Sequence, residues 1–269
     1  WLGECLEAGD FAKADPVAAR RAYWQAAQAG DAHGRAEFGR CLLYGIGGKE
    51  DIERGILELR HALSAGWTQA GGELERFWYE RGLMLLNTAS DAHDANLKSA
   101  VHCLRKAAQS GHVRAAFLLG ECLRHGTGTV CDPIAALDWY RRAAGLVDAQ
   151  LILGDMLYFG RGVPVDRAEA LQWFLRAAIQ HQDAHAMYSS GYCLLHGHGT
   201  GRDLGAGLRW LRRAAEQGDG DACQELGQHY LRTAEASSRW RSALRWLRAG
   251  ARAGHAGCIQ ALRNLDSGS

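Results

Sequence analysis

A short pattern returns along this chain at nearly constant spacing: an apolar residue, a glycine, a variable residue, then cysteine. It stands at Leu2-Gly3-Glu4-Cys5, Phe38-Gly39-Arg40-Cys41 and Leu119-Gly120-Glu121-Cys122. Variants follow at Leu153-Gly154-Asp155-Met156, Ser190-Gly191-Tyr192-Cys193 and Leu226-Gly227-Gln228-His229. The steps are 36 residues from Gly3 to Gly39, 34 from Gly120 to Gly154, 37 from Gly154 to Gly191 and 36 from Gly191 to Gly227. Periods of this length mark stacked supersecondary units, each too small to cover its own apolar face.

Each unit reads as two helices. The first runs into a G-x-G turn: Gly45-Ile46-Gly47, Gly126-Thr127-Gly128, Gly160-Arg161-Gly162 and Gly197-His198-Gly199. Glycine ends a helix with positive φ at little steric cost. An aspartate then offers an N-cap for the second helix, at Asp15, Asp51, Asp132, Asp166 and Asp203. Pro16 and Pro133 follow at the favoured first helical position. The second helix carries an aromatic residue and an alanine pair, as in Trp139 to Ala144, Trp173 to Ala178 and Trp210 to Ala215. Apolar residues at i, i+3 and i+4 mark its buried stripe, and the alanines permit close helix approach. With 3 prolines and no β-branched alternating run, strands have no evident home.

These residues resemble the Sel1-like repeat, a shorter relative of the tetratricopeptide repeat, with Ala149 to Ala178 matching most fully. The resemblance covers nearly the whole chain. It implies an all-α, right-handed superhelical solenoid of helix-turn-helix repeats over residues 1–269. Units are expected near 1–33, 34–69, 70–114, 115–148, 149–185, 186–221 and 222–257, with a C-terminal cap at 258–269. The unit from Ala70 to Gly111 departs. Glu75 stands where its glycine is expected, the G-x-G turn is lacking, and Ala62 to Ala107 spans 45 residues. The extra length is placed around Asn87–Lys98, as tolerated surface or as a functional protrusion.

Composition narrows the function classes. Lysines and arginines number 31 against 30 acids, a formal charge of +1, which leaves no electrostatic footprint for nucleic acid. Glu4, Glu7, Asp10 and Asp15 make the N-terminal stretch acidic, whereas Arg239, Arg241, Arg245, Arg248 and Arg252 make the other end basic. No window approaches the roughly 18 apolar residues of a membrane span. The sequence begins at Trp1 rather than at methionine, which reads as a processed or trimmed product, so the absence of an address signal says nothing about compartment.

Candidate chemistry is sparse. Cys5, Cys41, Cys122, Met156 and Cys193 occupy one repeat position, where cysteine serves as a small apolar core residue. There is no C-x-x-C pair for zinc or thiol exchange. Some Sel1-like proteins staple each unit with a disulfide. Here Cys223 and Cys258 hold the later position, but Ala215 and Ala251 stand where the partners would be, so that staple is not expected. His181 and His185 are four apart, and His196, His198 and Cys193 follow, but all read more simply as surface or turn residues than as metal ligands. No G-x-S-x-G, H-E-x-x-H or S-x-x-K occurs, and no G-K-[ST] follows any G-x-G. Neither an enzyme nor a cofactor is expected.

The informative positions are those that the repeat leaves free: one, four and five after each glycine of the first helix. They read Arg40, Leu43, Tyr44; Glu121, Arg124, His125; Asp155, Tyr158, Phe159; and Tyr192, Leu195, His196. The resemblance places first helices on the concave side of the solenoid. Tyrosine, phenylalanine and arginine there, instead of lysine or glutamate, are the composition of protein hot spots. The alternative is that these aromatics pack into the next unit. The expected function is a protein-binding scaffold, its groove holding another protein.

The arginine-, alanine- and tryptophan-rich repeats look like those of a high-GC bacterium, and among bacterial Sel1-like proteins the immunity proteins that neutralise secreted effectors look similar. That implies a secreted toxic effector as partner, specifically a type VI secretion phospholipase D, and a periplasmic location. Unpaired thiols point instead to a reducing compartment. A structural adaptor for exopolysaccharide export or signalling is the second reading. A hydrolase and a glycan-binding role are minor ones.

Overall fold

A computed structural model describes residues 2–8, 14–89, 95–233 and 237–267. Among them are 15 α-helices and no strand. The chain divides into two compact units, Trp1–Cys131 and Asp132–Ser269. The first holds α1 (Leu2–Ala8), α2 (Pro16–Gln28), α3 (Ala32–Tyr44), α4 (Ile52–Ser64), α5 (Gln69–Thr88), α6 (Ala95–Gln109) and α7 (Val113–His125). The second holds α8 (Pro133–Arg142), α9 (Val147–Phe159), α10 (Arg167–His181), α11 (Ala184–His196), α12 (Leu204–Glu216), α13 (Gly220–Arg232), α14 (Ser237–Arg252) and α15 (Ala256–Ser267). Inside each unit a helix packs chiefly on its neighbours in sequence, as stacked helix pairs require. None of the described helices is long and apolar enough to cross a membrane.

The caps explain where helices begin. All five expected aspartates accept a hydrogen bond from the backbone three residues on: Asp15 from Ala18 at 2.9 Å, Asp51 from Arg54 at 3.1 Å, Asp132 from Ala135 at 2.9 Å, Asp166 from Glu169 at 2.9 Å and Asp203 from Ala206 at 2.8 Å. First helices are capped too, by Asp31, Asp183 and Asp219, and twice by a histidine. His112 Nδ1 accepts from Ala115 at 3.1 Å and His255 Nδ1 from Cys258 at 3.3 Å.

The G-x-G turn has two separate demands, seen at Gly160 and Gly162. Gly160 is left-handed, with φ 68°, and closes α9. Gly162, with φ 77°, lies against Pro133 at the start of α8, so a Cβ there would strike the ring. One glycine stops the helix and the other seats the turn on the preceding second helix.

Alanine and leucine fill the core. In the second unit Ala177, Ala178, Met187, Leu211, Ala214, Leu226 and Leu247 form one buried cluster. Cys41, Cys122 and Cys193 are buried as expected of that repeat position, beside Met156, and Cys5 is half-buried. On the second helices Trp139, Trp173 and Trp210 are half-buried. Each is covered by the guanidinium three residues later: Arg142 at 4.3 Å, Arg176 at 5.4 Å and Arg213 at 5.2 Å from the ring centre.

The third repeat differs from the sequence expectation. Its helix-crossing glycine is Gly82, not the position of Glu75. A Cβ on Gly82 would lie 2.9 Å from Leu104 Cγ, matching Gly39 against Leu59 at 2.9 Å and Gly191 against Leu211 at 2.8 Å. From Gly82 to Ala107 is 25 residues, against 23 from Gly154 to Ala177, whereas Ala62 to Gly82 is 20 against 14 from Ala177 to Gly191. Most of the added length therefore precedes Gly82 and extends α5 to 20 residues, against 13 in α3 and α7. Of the stretch around Asn87–Lys98, residues 90–94 lie outside the described residues.

Candidate functional site

In the second unit, α9 and α11 are first helices of consecutive repeats and share a cleft. Their spacing depends on Gly154 and Gly191. A Cβ on Gly154 would collide with the Phe174 ring of α10, and one on Gly191 would lie 2.9 Å from the Leu211 backbone nitrogen of α12. Without those side chains the second helices come close, and the aromatic positions of α9 and α11 are set around a recess of about 420 Å³. Asp155, Tyr158 and Phe159 line it from α9, with Arg161 from the turn and Phe174 beneath. From α11 come His185, Tyr188, Ser189, Tyr192 and Cys193.

The rings contact one another through edges and tilted faces, as aromatic quadrupoles favour. Tyr158 meets Phe159 edge-on at 4.7 Å and 78°, and stands 6.4 Å from Phe174. Tyr188 lies 6.0 Å from Tyr192, which is 4.4 Å from His196 and 5.6 Å from His198. Tyr158 Oη and His198 Nδ1 share a hydrogen bond of 2.6 Å, tying α9 to the turn after α11. The Arg167 guanidinium covers Tyr158 at 5.4 Å and that of Arg161 covers Phe159 at 4.9 Å.

Burial raises the Tyr158 phenol above its ordinary pKa, helped by Cys193 and Tyr192. The Tyr188 phenol is raised by burial and then by Asp221 and Glu225. His198 is pushed below the usual imidazole range by burial, with Arg167 and His196 adding to it. Burial raises the Cys193 thiol to about 11, which leaves it protonated and unreactive at neutral pH. By contrast, the Asp155 carboxylate and the hydroxyls of Tyr188 and Tyr192 have no hydrogen bond or ion pair among the described residues.

Of the sequence-selected positions, Asp155, Tyr158, Phe159 and Tyr192 are thus brought together. Phe159 is 58% exposed and the other three are half-buried. Leu43 and Leu195 require correction. Each is 2% exposed and packs as core, which leaves a partner almost none of its surface to touch. In both repeats the residue sixteen after the repeat glycine is itself glycine, Gly55 or Gly207, where the α9–α10 repeat has Ala170. A Cβ on Gly55 would lie 2.8 Å from Leu43 Cδ2, and one on Gly207 2.8 Å from the Leu195 nitrogen, so the second helix closes over that position. His196 is engaged by Glu225 of α13, Nε2 to Oε1 at 2.9 Å, which also receives Arg232 at 3.6 Å.

The other selected residues belong to the first unit. Arg40 is held by Glu7 at 2.6 Å and Glu37 at 2.8 Å. Tyr44 is half-buried, packs edge-on against Phe77 at 5.7 Å and donates to Glu80 at 3.0 Å. Arg124 pairs with Glu121 at 3.0 Å, and His125 is exposed 3.6 Å from the same carboxylate.

Sequence reasoning missed Tyr188, His185, Ser189, Phe174, Arg161 and His198. Tyr188 was legible in principle: it stands four residues before Tyr192 on the same helix, hence on the same face. His198 read as a turn residue, and its bond to Tyr158 spans 40 positions. Among the described residues no three of His, Cys, Asp and Glu gather closely enough to hold a metal ion.

Comparison with known proteins bears on the fold. The Sel1 repeat family matches residues 1–31, 34–57, 77–112, 113–146, 147–181, 184–219 and 241–255, most of the chain. No curated protein matches significantly. Among solved structures, a Sel1 repeat protein from Oxalobacter formigenes is 30% identical, with 98% of this chain and 75% of that one covered and a TM-score of 0.54. A protective antigen of uropathogenic Escherichia coli is 24% identical with a TM-score of 0.63. The match covers 98% of this chain, which spans 55% of that protein's length. An immunity protein from Pseudomonas aeruginosa is 21% identical over 68% of this chain and 67% of its own, with a TM-score of 0.37.

Proposed function

Given that this chain belongs to the Sel1 repeat family, we propose that it is a non-catalytic protein-binding scaffold whose partner is anchored in the cleft between α9 and α11. The observation that carries the reading is the lining of that cleft: Tyr158, Phe159, Tyr188 and Tyr192 around a recess of about 420 Å³. Tyrosine presents a large, stiff, amphipathic surface whose immobilisation costs little entropy, and such residues seated in pockets dominate binding energy. The recess serves as the anchor of a larger contact. A specific complex buries about 800 Å² per partner, which neighbouring first helices can supply.

The finer form of the proposal is immunity. The partner would be a secreted bacterial phospholipase effector, gripped so that its catalytic cleft is blocked or deformed, with the complex forming in the periplasm. This form rests on the family resemblance to bacterial Sel1-like immunity proteins alone.

The test is capture of the partner with the intact chain, followed by Tyr158→Ala and Phe159→Ala. Each is expected to weaken the complex by about 10-fold or more, the cost of truncating one hot-spot aromatic. Unchanged affinity in both variants removes the cleft as the anchor. For immunity, the chain added to the captured protein should abolish phospholipase activity, and a captured protein without lipase activity contradicts that form.

A further inference from the structure

The lining of the α9–α11 cleft is not uniformly apolar, and the exceptions indicate what it accepts. Four features converge there. The Asp155 carboxylate lines the recess with no hydrogen bond or ion pair among the described residues. Tyr188 and Tyr192 stand 6.0 Å apart with free hydroxyls. Two other rings of the same recess already carry a guanidinium, Phe159 that of Arg161 at 4.9 Å and Tyr158 that of Arg167 at 5.4 Å. No guanidinium of the described residues lies over Tyr188 or Tyr192, which have the rings of His185 at 6.2 Å and His196 at 4.4 Å beside them respectively.

The surroundings add charge of the same sign. Asp221 and Glu225 of α13, with its N-cap Asp219, lie near enough to Tyr188 to favour its protonated form, after burial itself. Each of these three has a partner of its own: the Ala222 amide for Asp219, His255 for Asp221, and His196 with Arg232 for Glu225. Asp155 has none. Arg161, the cation that lines the recess, follows the C-terminal end of α9. Asp155 lies four residues before Phe159, about 6 Å back along the helix.

We infer that the recess, which Asp155, Tyr188 and Tyr192 line together, receives a cationic side chain, lysine or arginine, projecting from the bound partner. The alkyl stem packs against the tyrosine rings, while the charged head meets the Asp155 carboxylate and the negative faces of Tyr188 and Tyr192. A ring face attracts a cation best when water is excluded, and a half-buried carboxylate without a partner in the chain offers a cationic donor a charge-assisted hydrogen bond. The inference rests on the proposed anchoring cleft and specifies what the anchor holds.

The closing experiment needs no natural partner. The ¹⁵N-labelled full chain is titrated with N-acetyl-argininamide, with its neutral isostere N-acetyl-citrullinamide, and with cellobiose as a sugar occupant. Shifts are read at the amides of residues 155–159 and 185–192. Argininamide is expected to bind about ten-fold more tightly than citrullinamide, the scale of one cation–π contact reinforced by a carboxylate. Asp155→Asn should remove most of that preference and leave citrullinamide unchanged. Tyr192→Leu, which keeps an apolar side chain but removes the ring face, should weaken argininamide more than citrullinamide.

Equal binding of the arginine and citrulline probes, a preference that survives Asp155→Asn, or a response confined to cellobiose overturns the inference. Partner capture that stays sensitive to Tyr158→Ala, together with such a result, would leave the anchoring cleft standing with a neutral occupant. Capture insensitive to the cleft, with the arginine preference intact, would remove the anchor alone.

Discussion

Substituting Gly191 by alanine sets two opposed energies against each other. In favour, alanine in a helix interior is better than glycine by about 1 kcal/mol. Against it, the new Cβ would lie 2.9 Å from the Leu211 nitrogen, 3.0 Å from the Gly207 carbonyl oxygen and 2.8 Å from Leu211 Cγ. The leucine can turn aside, but two of the three atoms are backbone of α12 and move only if the helix pair separates. Overpacking of this kind costs about 1–3 kcal/mol, and backbone contact puts it at the upper end. The net expectation is destabilisation by about 1–2 kcal/mol.

Gly72 of α5 is the control, because a Cβ there meets nothing within 4 Å. Gly72→Ala should stabilise by about 0.5–1 kcal/mol. Urea titrations followed by far-UV circular dichroism give both numbers from the midpoint at constant slope. A Gly191→Ala protein as stable as the Gly72→Ala protein would refute the claim that first and second helices meet through backbone at the repeat glycine.

Three further outcomes follow from the same contacts. His198 and His229 are held below the ordinary imidazole pKa of 6.5, by burial first and then by Arg167 and Arg232 respectively. The unfolded chain therefore binds more protons than the fold as pH drops through 6.5, so their contribution is present above that value and lost on acidification. The urea midpoint should fall from pH 7.5 to pH 5.5 and fall less in His198→Gln; an identical fall in both proteins speaks against it. Cys131 is exposed, Cys5 half-buried and the other six cysteines buried, with burial raising Cys41, Cys122 and Cys258 to about 11. A thiol reagent at pH 8 should label Cys131 first, Cys5 more slowly and the rest only in denaturant, and rapid labelling of Cys193 would contradict the packing. Leu195→Ala should cost about 2–5 kcal/mol of stability as a core cavity, and a surface-like loss below about 0.5 kcal/mol would restore Leu195 to the binding face.

The fold was legible because its determinants are local and repeated. Asp132, Asp166 and Asp203 cap the helices that their position before a Pro or an apolar run suggests, and Gly160 stops α9 as a left-handed residue must. The caps at His112 and His255 were not read, because imidazole Nδ1 serves as a cap acceptor only in one tautomer and rotamer. Gly82 was missed because α5 is lengthened before it, which shifts the repeat out of phase.

The site was half legible. Marking positions by their distance from the repeat glycine found Tyr158, Phe159, Asp155 and Tyr192, but treated every repeat as the same. Whether the fourth position opens to solvent is decided by the facing second helix. Where Gly55 or Gly207 lets that helix approach, Leu43 and Leu195 are enclosed; where Ala170 stands, Tyr158 stays half open. Phe174 and His198 join the cleft only through the stacking of successive pairs, a tertiary effect that sequence position does not carry.

The claim on which the account turns is that tyrosines of α11 hold the partner. Calorimetric titration of the captured partner into the wild-type chain and into Tyr188→Ala/Tyr192→Ala tests it without intermediaries. The double variant should bind about 100-fold more weakly, a loss of about 2.7 kcal/mol for two hot-spot rings. An affinity within two-fold of wild type, in a variant with unaltered helicity, would place the partner elsewhere on the molecule.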